Sequence, residues 1–324
     1  MRLPKGRPVL QNAKLEYVHF DHILADAKQE RASKISGYLE VIYPDCTEFL
    51  FLRRGEPFNA ARFTREGREA RTINEVVEKA KTATGGMVNL YETSEELIAM
   101  TVMTLSAKPL FKGAELGKIN VDALFDRLQK SKFSGFLELK KGVELSYVRF
   151  RDGEAVKGFF IAKPEVPLTS QALRDLFSAL GTGETLAIDA YEETQDSAIE
   201  QATPAMVTLF LNTLNRIAQD LAGVVGPTLV KKTLEGSRAT VEVRYSFMKD
   251  FSVDGTGSVS GNTLTSPSSL AKAFAEWTDT FVESFRALLG KRLDALIQNA
   301  LKDYRFALKS TGFVESSRLA RLME

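Results

Sequence analysis

From the N-terminus to about residue 205 the apolar positions come in one order, twice. In the first pass Asp21 is a candidate N-cap, and Ile23, Leu24 and Ala27 mark one face of a short helix to about Arg31. Leu39 and Val41 alternate with other neighbours in a strand over 38–43, and Pro44-Asp45 turns the chain. The run 48–53 (EFLFLR) is apolar enough for a strand buried on both faces, Arg54-Gly55-Glu56 is a hairpin signal, and 58–63 is a third strand. Thr72 is a candidate cap for a helix to about Lys81. Gly85-Gly86 leads into a strand over 87–91, and Ser94 opens a helix bearing Leu97, Met100, Val102 and Leu105.

The second pass repeats the first. Asp122 caps a helix with Leu124, Phe125 and Leu128, and strands are expected over 136–140, 145–150 and 155–161, with a clear hairpin turn at Arg151-Asp152-Gly153-Glu154. A helix over 168–180, capped at Thr169 or Ser170, precedes Gly183 and a strand over 185–189. A helix after Glu192 leads past Pro204. The two passes share a phrase: SKISGYLE at 33–40 and SKFSGFLE at 131–138 are identical at six of eight positions and lie 98 residues apart. At that spacing Gly37 matches Gly135, Arg53 matches Arg151, Gly55 matches Gly153, Glu56 matches Glu154, and Thr84-Gly85 matches Thr182-Gly183. The pattern predicts a tandem duplication of one α+β unit, α-β-β-β-α-β-α, with the phrase as its helix-to-strand junction. Two copies are too few for a solenoid and suit a pseudo-twofold pair. The stretch from capping Asp to Ser-Gly is three residues longer in the first copy, which predicts a longer first helix there.

The rest of the chain lacks the phrase. A helix over 206–225, opened by Pro204, carries Val207, Phe210, Leu214, Ile217 and Leu221, and Gly226-Pro227 breaks it. A short helix over 228–234, a strand over 241–245, a flexible Gly/Ser/Thr-rich passage over 254–269 and a long helix from 270 to about 309 are expected, with Gly290 as a kink. The aromatic stripe Phe274, Trp277, Phe281 and Phe285 reads as core or as the seam of a homodimer formed through the C-terminal helices, and gives the candidate interaction residues. The expected organisation is an N-terminal arm (1–12), repeat one (13–108), repeat two (109–205) and a mainly helical domain (206–324).

Composition narrows the class. A net charge of +1 argues against nucleic acid or anionic lipid as a broad electrostatic partner. One cysteine, Cys46, excludes an internal disulfide and suits a reducing compartment; with no signal-like or membrane-spanning run, a cytoplasmic protein is expected. The segment 121–159 resembles the PATAN domain, found at the N-terminus of PatA-type response regulators and in bacterial signalling proteins. The residues that carry the resemblance are Ser134, Gly135, Leu137, Asp152, Gly153 and Val156. In the first copy these positions are Ser36, Gly37, Leu39, Arg54, Gly55 and Phe58, so the Asp of the turn is missing there. The resemblance implies a protein-interaction or sensory-adaptor role and brings no catalytic residues.

Candidate chemistry is sparse. His19, Asp21 and His22 form a small metal-type cluster in which Asp21 already serves as a cap, and Cys46 has no histidine near it in sequence. The segment 250–255 matches half of the PilZ cyclic-di-GMP signature without the paired arginines of the other half, and GTGSVSG at 255–261 lacks the context of a phosphate loop. The most basic stretch contains Arg53, Arg54, Arg62, Arg65, Arg68 and Arg71, of which the first five are the candidate ligand-binding residues for a phosphate or nucleotide. No catalytic constellation, cofactor or metal is expected. The favoured reading is a non-enzymatic bacterial adaptor that binds protein partners; the alternative is a small-anion or nucleotide sensor using the arginine stretch.

Overall fold

A computed structural model describes residues 1–28, 34–180, 185–193 and 200–322. The helix end expected near Arg31, Ser33 of the first phrase, the matched pair Thr182-Gly183 and the start of the segment after Glu193 lie outside these residues. The chain forms two units, Met1–Arg71 with Glu75–Ile199, and Glu200–Glu324 with Thr72–Asn74.

The first unit holds both copies. Copy one runs β1 (Arg7–Lys14), α1 (Phe20–Lys28), β2 (Gly37–Ile42), β3 (Thr47–Arg53), β4 (Glu56–Phe63), β5 (Arg68–Arg71), α2 (Ile73–Thr82), β6 (Met87–Glu92) and α3 (Glu95–Ser106). Copy two runs β7 (Phe111–Glu115), α4 (Val121–Lys130), β8 (Gly135–Lys141), β9 (Glu144–Arg151), β10 (Glu154–Phe159), β11 (Val166–Pro167), α5 (Ser170–Leu180) and β12 (Leu186–Glu192). The strand orders, β1-β6-β2-β3-β4-β5 and β7-β12-β8-β9-β10-β11, are the same, and every adjacent pair is antiparallel. The α+β class and the duplication are therefore present. Each copy has two strands more than expected. The leading strand incorporates the second half of the anticipated N-terminal arm, and a short edge strand follows the third hairpin strand.

Each sheet buries both faces. In copy two Leu137, Leu139, Val148, Phe150 and Ile188 face α4 and α5 through Phe125, Leu128, Leu173 and Phe177. Copy one buries Leu39, Val41, Leu50, Leu52 and Val88 at matching positions, with Phe20 and Ala27 of α1 and Val76 and Ala80 of α2. The opposite faces share one core: Tyr38, Phe49, Phe51, Phe63 and Tyr91 from one sheet meet Phe136, Tyr147, Phe159 and Tyr191 from the other, with Leu97, Ile98, Met100, Val102 and Met103 of α3 among them. A helix apolar on nearly all sides belongs in such a place. Leu3 joins this core, and the backbone of Arg2 bonds Val143 and Leu145 of copy two.

The second unit comprises α6 (Pro204–Val225), α7 (Pro227–Glu242), β13 (Phe251–Val253), β14 (Val259–Gly261), α8 (Pro267–Glu283), α9 (Arg286–Leu289), α10 (Lys291–Leu301), α11 (Arg305–Lys309) and α12 (Phe313–Ser316). Three expectations are corrected. Residues 241–245 are the end and exit of α7, whose Leu234 and Val241 are buried one heptad apart, so a five-residue alternation was the tail of a helical stripe. The long helix is interrupted at Gly290 (φ 53°), where a kink is expected, but also breaks at Ser284-Phe285 and after Leu301. The Gly/Ser/Thr-rich passage contains a hairpin, closed by an Asp254 carboxylate that accepts from the amides of Thr256 and Ser258 and held to α6 by the Asn215 amide, which bonds both backbone groups of Val259.

Candidate functional site

The repeated phrase is a fastening. Ser36 Oγ accepts from Arg54 N at 3.0 Å, and Ser134 Oγ accepts from Asp152 N at 3.0 Å. Gly55 N donates to Ile35 O, Gly153 N to Phe133 O, Thr93 N to Ser36 O and Glu193 N to Ser134 O. Arg54 and Gly55 both have positive φ, as do Asp152 and Gly153, which is the requirement of a type I′ hairpin. A Cβ at Gly37 would lie 1.9 Å from Tyr91 O, and one at Gly55 2.3 Å from Ala27 O; Gly135 and Gly153 are as confined. The phrase thus joins the first helix, the hairpin tip and the last strand of each copy.

Its final residue is the ionisable one. Glu40 and Glu138 are both buried on the shared-core face, opposite Asn89 and Asp189 respectively. In copy one Asn89 Nδ2 donates to Glu40 Oε2 at 2.9 Å, while Asn89 Oδ1 accepts from Asn12 N at 2.8 Å. Burial, the largest influence, pushes the Glu40 carboxyl above the usual carboxylate range, against the Asn89 hydrogen bond and the charges of Lys5, the N-terminus and Arg2. In copy two Asp189 Oδ1 accepts from Gly113 N at 2.6 Å, but the facing pair is two carboxylates, each with a fully buried side chain. Two cations compensate. Lys140 Nζ lies 2.6 Å from Asp189 and 3.2 Å from Glu138. Arg68, from β5 of copy one, meets Glu138 with both terminal nitrogens, the second at 2.8 Å, and reaches Tyr191 Oη at 3.2 Å. Burial acts to lower the Arg68 pKa, and the hydrogen bond and charge of Glu138 outweigh it, so the guanidinium is held even more firmly charged. Burial and the Glu138 charge push Tyr191 up to about 12.

The candidate ligand-binding arginines do not converge. Arg53 lies over the Phe58 ring at 4.4 Å with Glu95 at 3.9 Å, and Arg54 is in the hairpin turn. Arg62 binds the buried Glu48 at 2.7 Å, which Lys79 also reaches at 3.1 Å; Arg65 is exposed in the β4–β5 turn, and Arg68 is committed to Glu138. The four aromatic candidates Phe274, Trp277, Phe281 and Phe285, read as core or dimer seam, are all buried in the core of their own unit, where Trp277 Nε1 donates to Leu234 O and Ser237 Oγ. A dimer seam made of these residues would have to open that core.

The His19 and His22 rings lie 5.1 Å apart, tilted at 51°, and Asp21 pairs with Lys81 at 2.9 Å; no group of three potential metal ligands occurs among the described residues. The Asp250 carboxylate of the PilZ-like segment accepts from Thr263 Oγ1 at 2.7 Å. Two open depressions lie among the described residues. One, about 710 Å³, lies in the second unit among Arg244, Lys272, Glu276, Asp279, Glu283 and Arg318, where acids and bases balance and Asp279 is occupied by Ser317 Oγ and Arg318 N at 2.7 Å each. The other, about 600 Å³, is a mainly apolar groove of copy two between β7 and α4, lined by Leu110, Phe111, Ala114, Ile119, Leu124 and Phe133, with Asn120, Arg127, Ser131 and Glu192 as its polar positions.

What sequence reasoning missed was the pairing of Arg68 with Glu138 and of Glu138 with Asp189. The only sequence signal was the Glu that closes both phrases. No helix among the described residues is long and apolar enough to cross a membrane. No family model, curated protein or solved structure matches this chain.

Proposed function

We propose that this chain is a non-enzymatic adaptor of bacterial signalling, of PATAN-like type and cytoplasmic, that holds a protein partner in the copy-two groove. The observation that carries this reading is a division of labour within the first unit. Its buried carboxylates Glu138, Asp189 and Glu48 are each paired with partly buried cations, Arg68, Lys140, Arg62 and Lys79, which leaves little charge chemistry for a substrate. The groove is mainly apolar and open, with Arg127 and Glu192 as its charged positions, and Leu110, which lines it, is 58% exposed. Apolar anchors in a concave site are the ordinary source of affinity between proteins.

The test has two arms. Affinity capture from the native cell extract is run with the parent chain and with Leu110→Asp combined with Ala123→Glu, two exposed lining positions. The adaptor reading expects a partner at near-equal stoichiometry that the variant loses. In parallel, thermal melts are taken with inorganic phosphate and a nucleotide panel. A midpoint raised by one nucleotide and restored to baseline in Arg53→Ala/Arg65→Ala would replace the adaptor with a ligand sensor.

A further inference from the structure

Cys46 stands just before β3, and the α2 residue Lys79 reaches it: Lys79 Nζ donates to Cys46 Sγ at 3.4 Å. The same amine lies 3.1 Å from Glu48 Oε1 and 4.0 Å from the centre of the Tyr43 ring. Two polar atoms beside this pair have no hydrogen-bond partner, Glu48 Oε2 and Tyr43 Oη. The Glu48 side chain is 1% exposed and Tyr43 7%, so both are orphaned in the interior rather than served by bulk solvent. Burial first, and then the charges of Glu48 and Cys46, push the Tyr43 hydroxyl above its ordinary range. Lys79 itself is about one third exposed, which gives the cluster a path to small polar solutes.

We propose that Cys46 and Lys79 form a reversible covalent tie when the protein meets a peroxide. The chemistry needs one two-electron oxidant, and hydrogen peroxide supplies it. The Cys46 sulfur attacks a peroxide oxygen and the O–O bond breaks, giving a sulfenic acid and water. The Lys79 nitrogen, after losing a proton to solvent by way of the Glu48 carboxylate, attacks that sulfur. An N–S bond forms, the S–O bond breaks, and the departing hydroxide takes one proton from the newly bonded nitrogen to leave as water. The product, a sulfenamide, has two hydrogens fewer than the starting pair. Its N–H is a donor for the orphaned Glu48 oxygen. A thiol reductant reverses it, restoring the cysteine and the amine. Burial raises the thiol pKa, while the Lys79 hydrogen bond and charge act to lower it, so the first step is slow without a molar excess of oxidant.

The tie would fasten α2 to the turn between β2 and β3. The full-length protein is treated with hydrogen peroxide, and its intact mass and protease digest are compared before and after dithiothreitol. The expected result is a loss of two hydrogens, one cross-linked peptide joining Cys46 to Lys79, and complete reversal by the reductant. Lys79→Arg keeps the positive charge and removes the nucleophile, so it should show no cross-link while melting as a folded protein. Lys81→Arg should cross-link like the parent. Oxygen added at Cys46 with the Lys79 peptide left free, an intermolecular disulfide, or an unchanged mass under excess peroxide would each overturn the proposal.

Discussion

Glu40 and Glu138 close the same phrase and are buried on the same face of their sheets, yet the two copies hold them by different chemistry. Copy one sets a neutral amide, Asn89, against its carboxyl group and has Ile42 beside it. Copy two sets a second acid, Asp189, against its own, places Lys140 where copy one has Ile42, and takes Arg68 from the other copy. One charge too many in copy two is thus answered by a cation that crosses between copies. A buried pair of this kind adds little net stability over an apolar replacement but is costly to break from one side. Its value is in specifying which surfaces meet: copy two fits copy one better than it would fit a second copy of itself.

This difference can be broken from either side. The largest effect is expected from Arg68→Ala, which leaves Glu138 facing Asp189 with Lys140 alone. Denaturant unfolding should show a loss of about 3–5 kcal/mol, and Arg68→Met/Glu138→Leu together should recover much of it. Next comes the transplant Asn89→Asp, which gives copy one the second acid without its cations. A loss of about 2–4 kcal/mol is expected, with partial recovery when Ile42→Lys is added; no recovery would mean that the lysine in copy two is incidental. Ser134→Ala and Ser36→Ala each remove the acceptor for a hairpin amide, and about 1 kcal/mol is expected from each, similar in the two copies because the fastening is the same.

The smallest effect concerns pH. Burial holds the Glu40 carboxyl above its ordinary range, so the folded protein keeps a proton that the unfolded chain releases. Such a group subtracts stability as pH rises from about 4.3, the unfolded value, toward its folded one, and costs its full amount above that. Glu40→Gln keeps an acceptor for Asn89 and removes the ionisation. The variant should melt higher than the parent at neutral pH, and the gap should close as pH falls below about 4. A gap that widened on acidification would mean that Glu40 is stabilised as a carboxylate.

Much of this architecture could be read in the chain. The strands over 38–43, 48–53, 58–63 and 87–91 are β2, β3, β4 and β6 to within two residues at either end. Ser94 caps α3 through Leu97 N. The overlooked strands are edges. β1 is mostly exposed and is interrupted by Asn12 at φ 54°, β7 by Gly113 at φ 68°, and β5 reads REAR, so none shows a buried alternation. The cap expected at Asp122 is Asn120, which accepts from Ala123 N; a capping residue two positions away satisfies the same amides. The buried charges were hidden for another reason. The phrase repeats every 98 residues, but the matched strands β6 and β12 differ by two more, so Asn89 and Asp189 do not align at the phrase's own spacing. Arg68 and Glu138 are 70 positions apart and meet only because two sheets share a core. In the second unit the apolar stripe was visible, whereas the breaks near Phe285 and Leu301 carry no Gly or Pro to announce them.

The shared core also sets a timetable. A ribosome finishes β6 about one hundred residues before it finishes β12. At about 5–20 residues per second, copy one therefore waits roughly 5–20 s with Tyr38, Phe49, Phe51 and Tyr91 lacking their final cover. During that interval the nascent chain offers an aromatic sheet face and the greasy helix α3 to whatever is nearby. Synthesis, rather than the mature state, is then the stage at which this protein most needs a chaperone, and a chain stopped after α3 would be a more aggregation-prone object than the full-length one.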